Sequence, residues 1–208
     1  MSQSQLVIQF AKAPVAGKVK TRLIPHLGAA RACQLHWDMT SELVRSLSSG
    51  VSSFDFQLHV NDSESKEVIA LAKKYNCLFK QQVEGDLGDR MSYAFEQGLK
   101  HYQRVAIVGS DCLAVNENLL AQLFDLLSSN DVALLPSMDG GYAAIAMRHY
   151  TPHVFENIEW GSATVLSKTI RRLNNNRINF HQLAPVMDID IADDLQYYSD
   201  HKIIRRYL

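Results

Sequence analysis

Cysteine is scarce in this chain: there are three, Cys33, Cys77 and Cys112, far apart and without a CxxC pair. An odd, dispersed set of this kind excludes a disulfide framework and a zinc site of ordinary spacing. Long apolar runs are missing as well. No stretch approaches the roughly 18–20 residues that a membrane span requires. The N-terminus reaches Leu6-Val7-Ile8 after a few polar residues, without the basic segment and long apolar core of a secretory signal. We therefore expect a soluble, cytoplasmic protein. Excess charge of one sign is also lacking, since 21 Lys and Arg stand against 22 Asp and Glu for a formal net charge of −1. That balance argues against bulk nucleic acid or an anionic membrane surface as the main partner. Neither GxxxxGK[ST], GxGxxG nor GxSxG occurs. Repeats, low-complexity tracts and interdomain linkers are absent too, so the 208 residues read as one domain spanning 1–208.

What is present is an alternation of strand-like and helix-like segments. Leu6 to Phe10 reads as a buried strand, and the loop from Ala11 to Gly28 carries Pro14, Gly17 and Pro25, which prevent one regular helix. Ala29, Cys33, Trp37, Thr40, Val44 and Leu47 recur at helical spacing up to a Ser48-Ser49-Gly50 breaker. Phe54, Phe56, Leu58 and Val60 alternate as in a strand. Ser63 to Tyr75 then predicts a helix, Leu78 to Val83 a short strand, and Leu87, Met91, Phe95, Leu99 and Tyr102 an amphipathic helix. Arg104 to Val108 predicts a strand. Asn116 should cap a leucine-rich helix, and Ser162 a later one that ends at Asn174-Asn175-Asn176. Val132–Leu135, Tyr142–Met147 and Ile178–Leu183 complete the strands, and Asp190 is the expected cap of a short helix through Tyr197. The order implies an α/β fold, a three-layer α/β/α sandwich around a mainly parallel sheet.

In such a sheet ligands bind outside the carboxyl ends of the strands. Gly109-Ser110-Asp111 places a carboxylate at one such end, and Asp188-Ile189-Asp190 supplies two more far downstream. Carboxylates delivered by separate segments can clamp a divalent cation that carries phosphates. Each acid alone also fits a turn brace or a helix cap. The loop after the first strand holds Lys12, Lys18, Lys20 and Arg22, with Gly17 to let backbone approach a ligand. By composition it fits a solvated basic loop equally well. Asp139-Gly140-Gly141-Tyr142 reads either as a tight turn or as the border of a substrate pocket, with Asp139 accepting hydroxyl hydrogen bonds. Arg90, in the first turn of its helix, could face an anion, and Trp160 is either a stacking platform or a packed aromatic. The histidines, such as His26, His36, His59 and His153, lack metal-ligand spacing and read as structural or solvent-facing.

Taken in order, KAPVAGKVKTRL, GDLGDRM, VGSDC, DGGY, WGSATVL and DIDIADDL resemble a bacterial family of uncharacterised, glycosyltransferase-like transferases, from Phe10 to Leu195. That family is similar to the GT-A nucleotide-diphospho-sugar transferases, whose relatives include molybdopterin and phospholactate guanylyltransferases. The resemblance implies Lys12, Gly17, Lys20, Arg22 and Arg90 as nucleotide-binding residues. It implies Asp111, Asp188 and Asp190 as ligands of Mg2+ or Mn2+, with Gly140, Gly141, Tyr142 and Trp160 bordering the substrate and Asp139 as a candidate base. Two departures stand out: Leu113 replaces the proline usual after GSDC, and the Gly109-Ser110-Asp111 segment lacks the first acid of a full DxD. The activity implied is glycosyl transfer from a nucleotide sugar to a small-molecule acceptor. Nucleotidyl transfer from an NTP to a phosphorylated metabolite, and noncatalytic nucleotide binding, are the alternatives.

Overall fold

The computed structural model describes residues 4–48 and 53–208. Its elements follow the expected alternation. Strand β1 (Gln5–Ala11) leads through a loop and two short helical turns, the second being α1 (Ile24–Leu27), into α2 (Ala29–Leu47). Then come β2 (Asp55–Val60), α3 (Lys66–Tyr75), β3 (Leu78–Gln81), α4 (Leu87–Leu99), β4 (Arg104–Val108) and α5 (Glu117–Leu126). The hairpin strands β5 (Val132–Pro136) and β6 (Tyr142–Met147) are followed by α6 (Val165–Asn175), β7 (Phe180–Gln182) and α7 (Ala192–Tyr197). The strands form one seven-stranded sheet in the order β3-β2-β1-β4-β6-β5-β7.

Pairing is parallel except at β6, which runs antiparallel to both β4 and β5. Because β6 reverses twice, β5 and β7 point the same way as β1 and β4. The carboxyl ends of β1, β4, β5 and β7, and the turn joining β5 to β6, therefore share one edge of the sheet. The central strands β1, β4, β5 and β6 are apolar on both faces, as expected for strands covered by helices on each side. One core joins Val7, Val108 and Leu135 to Leu43, Leu123 and Phe124 of α2 and α5. On the opposite face Leu6, Ile107 and Ile145 pack against Met91 and Phe95 of α4 and Leu173 of α6.

Several local expectations are corrected. Of the expected face of α2, Thr40, Val44 and Leu47 are buried, but toward the N-terminus the buried residues are Ala32, Leu35, His36 and Met39 rather than Ala29, Cys33 and Trp37. Both sides of α2 carry apolar residues, and the β1 loop and the C-terminal segment, invisible to a periodicity count, decide which stripe goes inward. Ser49 and Gly50 lie outside the described residues. Helix α3 starts at Lys66 and β7 spans only three residues. Asn116 does cap α5, accepting from the Leu119 N–H at 3.0 Å. Ser162 does not cap α6: its hydroxyl donates to the Glu159 carbonyl, and Thr164 takes the cap position. Nor does Asp190 cap α7. The Asp194 carboxylate reaches back to accept from the N–H groups of Asp190 and Ile191, each at 2.8 Å. That exchange frees the Asp190 carboxylate for another purpose. No helix among the described residues is long and apolar enough to cross a membrane.

Candidate active site at the carboxyl edge of the sheet

The acid at the end of β4 is held from below. Ser110 is buried, donates to the Phe10 carbonyl at 2.8 Å and accepts from the Gln9 amide at 2.9 Å. Its role is thus to tie β4 to β1; in a DxD that ends at Asp111 the first acid would fall on Gly109, and Ser110 is the intervening residue. The Gly109 N–H donates to the Ala143 carbonyl, and a Cβ on Gly109 would lie 2.9 Å from Asp111 Oδ1. Asp111 therefore leans over a residue that has to be small.

The late acidic segment returns to this point through backbone pairing. Met138 donates to Val186, and Ile189 donates to the Asp111 carbonyl at 2.9 Å. Lys20 joins the two segments. Its ammonium lies 3.3 Å from Asp111 Oδ2, 3.6 Å from Asp190 Oδ1 and 2.5 Å from the Ile189 carbonyl. The Lys20 side chain is 6% exposed, and that of Asp111 is 44% exposed. Arg22 contacts the other oxygen of Asp190 at 2.6 Å from a largely exposed position.

Electrostatics separate the acids. Burial pushes the Asp111 carboxyl up, but the adjacent Lys20 ammonium, with its hydrogen bond, more than compensates and leaves the group below its ordinary range. Asp188 has the opposite fate. Burial, then the neighbouring carboxylates of Asp139 and Asp111, raise it to about 6. Crowded acids with a shortage of positive charge are the environment into which a cation fits. Among the described residues no group of three or more His, Cys, Asp or Glu side chains is arranged to hold a metal by itself. Two carboxylates completed by phosphate oxygens and water nevertheless match the coordination habit of Mg2+.

Beside the acids opens a cavity of about 310 Å³ lined by Lys12, Lys20, His36, Arg90, Asp111 and Asp190, among others. Lys12 makes no side-chain ion pair among the described residues. Arg90 donates to the Gly85 carbonyl at 3.0 Å and approaches the Gln82 side chain at 3.5 Å, and has no carboxylate partner among the described residues. Gly17 has a left-handed backbone, φ 81°, with open space around it. Sequence reasoning missed His36, which is buried against the loop, its Nε2 2.9 Å from the Lys12 carbonyl. Burial holds its imidazole below the usual value, with the Lys12 hydrogen bond acting against that shift. Nothing local marks His36; it follows only from α2 passing beneath the β1 loop. Gln82 and Leu87 also line the cavity. They could have been found from their places just beyond β3 and at the start of α4.

The DGGY segment forms a tight turn. Asp139 Oδ1 accepts from the Ser137 hydroxyl at 2.5 Å and from the Gly141 N–H at 2.9 Å. Gly140 has φ 91°, and a Cβ on it would lie 2.2 Å from the Ala163 carbonyl oxygen. Tyr142 and Trp160 pack against the core beneath α4 and α6 rather than lining the cavity. Trp160 lies under Gly88, where a Cβ would meet the indole at 2.8 Å, and its ring sits 6.4 Å from that of Phe155.

The profile of the DUF2064 family, described as uncharacterized proteins conserved in bacteria, matches residues 49–162. The chain belongs to the DUF2064 family. No curated protein matches this DUF2064 chain. Among solved structures, a protein of Desulfovibrio desulfuricans G20 assigned to the nucleotide-diphospho-sugar transferases is 27% identical, with a TM-score of 0.87 over 100% of this chain and 99% of that one. A nucleotidyl transferase from Methanothermobacter thermautotrophicus is 14% identical, with a TM-score of 0.62 over 98% and 99% of the two chains. Rv0371c of Mycobacterium tuberculosis H37Rv, solved as a manganese complex, is 14% identical with a TM-score of 0.55 over 96% and 100%. The DUF2064 fold is thus that of the GT-A-like nucleotidyl and glycosyl transferases.

Proposed function

We propose that this DUF2064 protein is a metal-dependent transferase that binds a nucleotide sugar and passes its glycosyl group to a small acceptor. The observation that carries the reading is the single cavity in which Lys12, Lys20 and Arg90 meet Asp111 and Asp190 at the carboxyl edge of the sheet. Two of those cations, Lys12 and Arg90, lack carboxylate partners among the described residues and suit the oxygens of a diphosphate, the arginine offering forked donors. Gly17 lets the loop backbone come close to the same group. Asp111 and Asp188 would hold Mg2+ or Mn2+, with Asp190 beside them under the charge of Lys20 and Arg22. When bound, the cation offsets negative charge on the departing diphosphate. Lys12, Lys20 and Arg90 act in the same sense, and more strongly as the substrate displaces water. Gly140 and Gly141 keep the turn beside Asp188 compact, which leaves room for the acceptor.

Asp139 has one oxygen committed to its own turn and the other available to accept a hydroxyl proton from an acceptor. That partial commitment favours a second reading, nucleotidyl transfer. There a phosphorylated metabolite attacks the α-phosphate of an NTP, pyrophosphate leaves, and no general base is needed. Product analysis separates the two. Release of a nucleoside diphosphate from a nucleotide sugar supports glycosyl transfer; release of pyrophosphate from an NTP replaces it with the second reading.

A further inference from the structure

Lys20 adopts a backbone conformation that side-chain-bearing residues seldom take, with φ 45° and ψ 45°. From there its ammonium enters a nearly closed niche and is surrounded by Asp111 Oδ2, Asp190 Oδ1 and the Ile189 carbonyl. Carboxylate and carbonyl oxygens converging from two chain segments are also what a hard divalent cation requires. Lys20 thus sits on an oxygen of Asp111, the carboxylate that the cation of the proposed reaction would use. A divalent ion and an ammonium cannot share one Asp111 oxygen, because like charges at such a distance repel strongly in a partly buried site.

We propose that Lys20 is a resident cation that keeps the place of the metal in the ligand-free protein, and that the metal and the Lys20 ammonium exclude one another at Asp111. This rests on the metal-dependent reading given above and adds an order of events to it. Since the described acids include no self-sufficient metal cluster, a divalent ion gains little from displacing Lys20 unless further oxygens arrive with it. A nucleoside diphosphate supplies those oxygens. It also gives the displaced ammonium a new anionic partner across the same cavity, beside Lys12 and Arg90. Metal and diphosphate consequently bind with positive coupling, each strengthening the other by the same factor.

Two measurements on the full chain test this. In the first, a small amine-acylating reagent is applied to the wild type alone and with saturating Mn2+, and modification of Lys20 is read by peptide mass spectrometry. The buried ammonium should be modified slowly in the free protein and several-fold faster with Mn2+. In the second, Mn2+ binding is followed by electron paramagnetic resonance for wild type, Lys20→Met and Lys20→Gly, with and without ADP, GDP or UDP. The glycine variant also relaxes the left-handed backbone, so a folding defect in the methionine variant does not end the experiment. Both variants should bind Mn2+ about tenfold more tightly than wild type without nucleotide, and the gap should narrow when the effective diphosphate is added. If wild type takes up Mn2+ while Lys20 modification stays unchanged, or if neither variant binds more tightly, the displacement idea is overturned and the metal-dependent reading survives. If no form takes up Mn2+ even with a diphosphate, both fall.

Discussion

At the residue scale two positions beside the site give an added methyl group a calculable consequence. Gly109→Ala would bring a Cβ within 2.9 Å of Asp111 Oδ1, so the carboxylate must turn away. We expect this variant to stay folded but to lose most of the thermal stabilisation that divalent cation and nucleotide together confer on the wild type, measured as a shift in Tm. An unchanged ligand-induced shift would remove Asp111 from the cation site. Gly140→Ala is more severe. Its Cβ would lie 2.2 Å from a backbone oxygen, at a φ of 91° that side chains rarely adopt. The expected cost is about 2–4 kcal/mol in urea denaturation, since backbone strain and overpacking act together. Gly140 thus has a structural reason of its own, whatever the acceptor proves to be.

At the element scale, the start of α7 shows how a cap decides which acid is left to pair with other side chains. Asp194 accepts two backbone N–H bonds, leaving Asp190 to face Lys20 and Arg22. Asp194→Ala should cost about 1 kcal/mol, the usual loss of a helix cap. Strand β2 supplies a pH-dependent element. His59 is buried, stacks on Phe10 with ring centroids 5.9 Å apart, and has its imidazole held down at about 4 from an ordinary 6.5, by burial first and the Lys80 charge second. Between those two values the unfolded chain binds a proton that the folded chain refuses, so stability falls as pH drops from about 6.5 to about 4. His36 shifts in the same direction. His59→Gln, which keeps an amide donor for the Gln57 side chain, should flatten this acid limb by about 2–3 kcal/mol in denaturation curves taken across the window. An acid limb identical to that of the wild type would show that His59 titrates normally in the fold.

The elements were far more legible in the sequence than their partners. Leu6–Phe10, Tyr142–Met147 and the helix from Ala29 to Leu47 could be placed from apolar patterning and breakers, because these signals are local. The N-terminal half of the inward face of α2 and the burial of His36 could not, since each depends on a segment distant in the chain; the cap of α7 is local but falls to Asp194 rather than to Asp190. The convergence of Asp111 with Asp188 and Asp190 was expected from strand-end logic and from a resemblance. The placement of Lys20 between Asp111 and Asp190 had no sequence signal at all. It arises from a left-handed backbone at a lysine and from the Ile189–Asp111 backbone hydrogen bond.

At the scale of the whole molecule, the antiparallel strand β6 is the organising feature. Inserted between β4 and β5, it turns the β5–β6 hairpin toward the edge where β1 and β4 end, and β7 then delivers the late acids to that edge. Residues of five separated segments, represented by Lys20, His36, Arg90, Asp111 and Asp190, line one cavity. A nucleotide bound there would link the first loop, the end of β4 and the late acidic segment, and so stabilise the molecule as a unit. The most direct measurement is a calorimetric titration of ADP, GDP, CDP and UDP into wild type and Asp111→Asn, each with and without Mn2+. The account predicts that wild type binds at least one of these diphosphates at least tenfold more tightly with the cation, and that Asp111→Asn loses this gain. Equal affinity with and without Mn2+, or a gain that survives in Asp111→Asn, would contradict it.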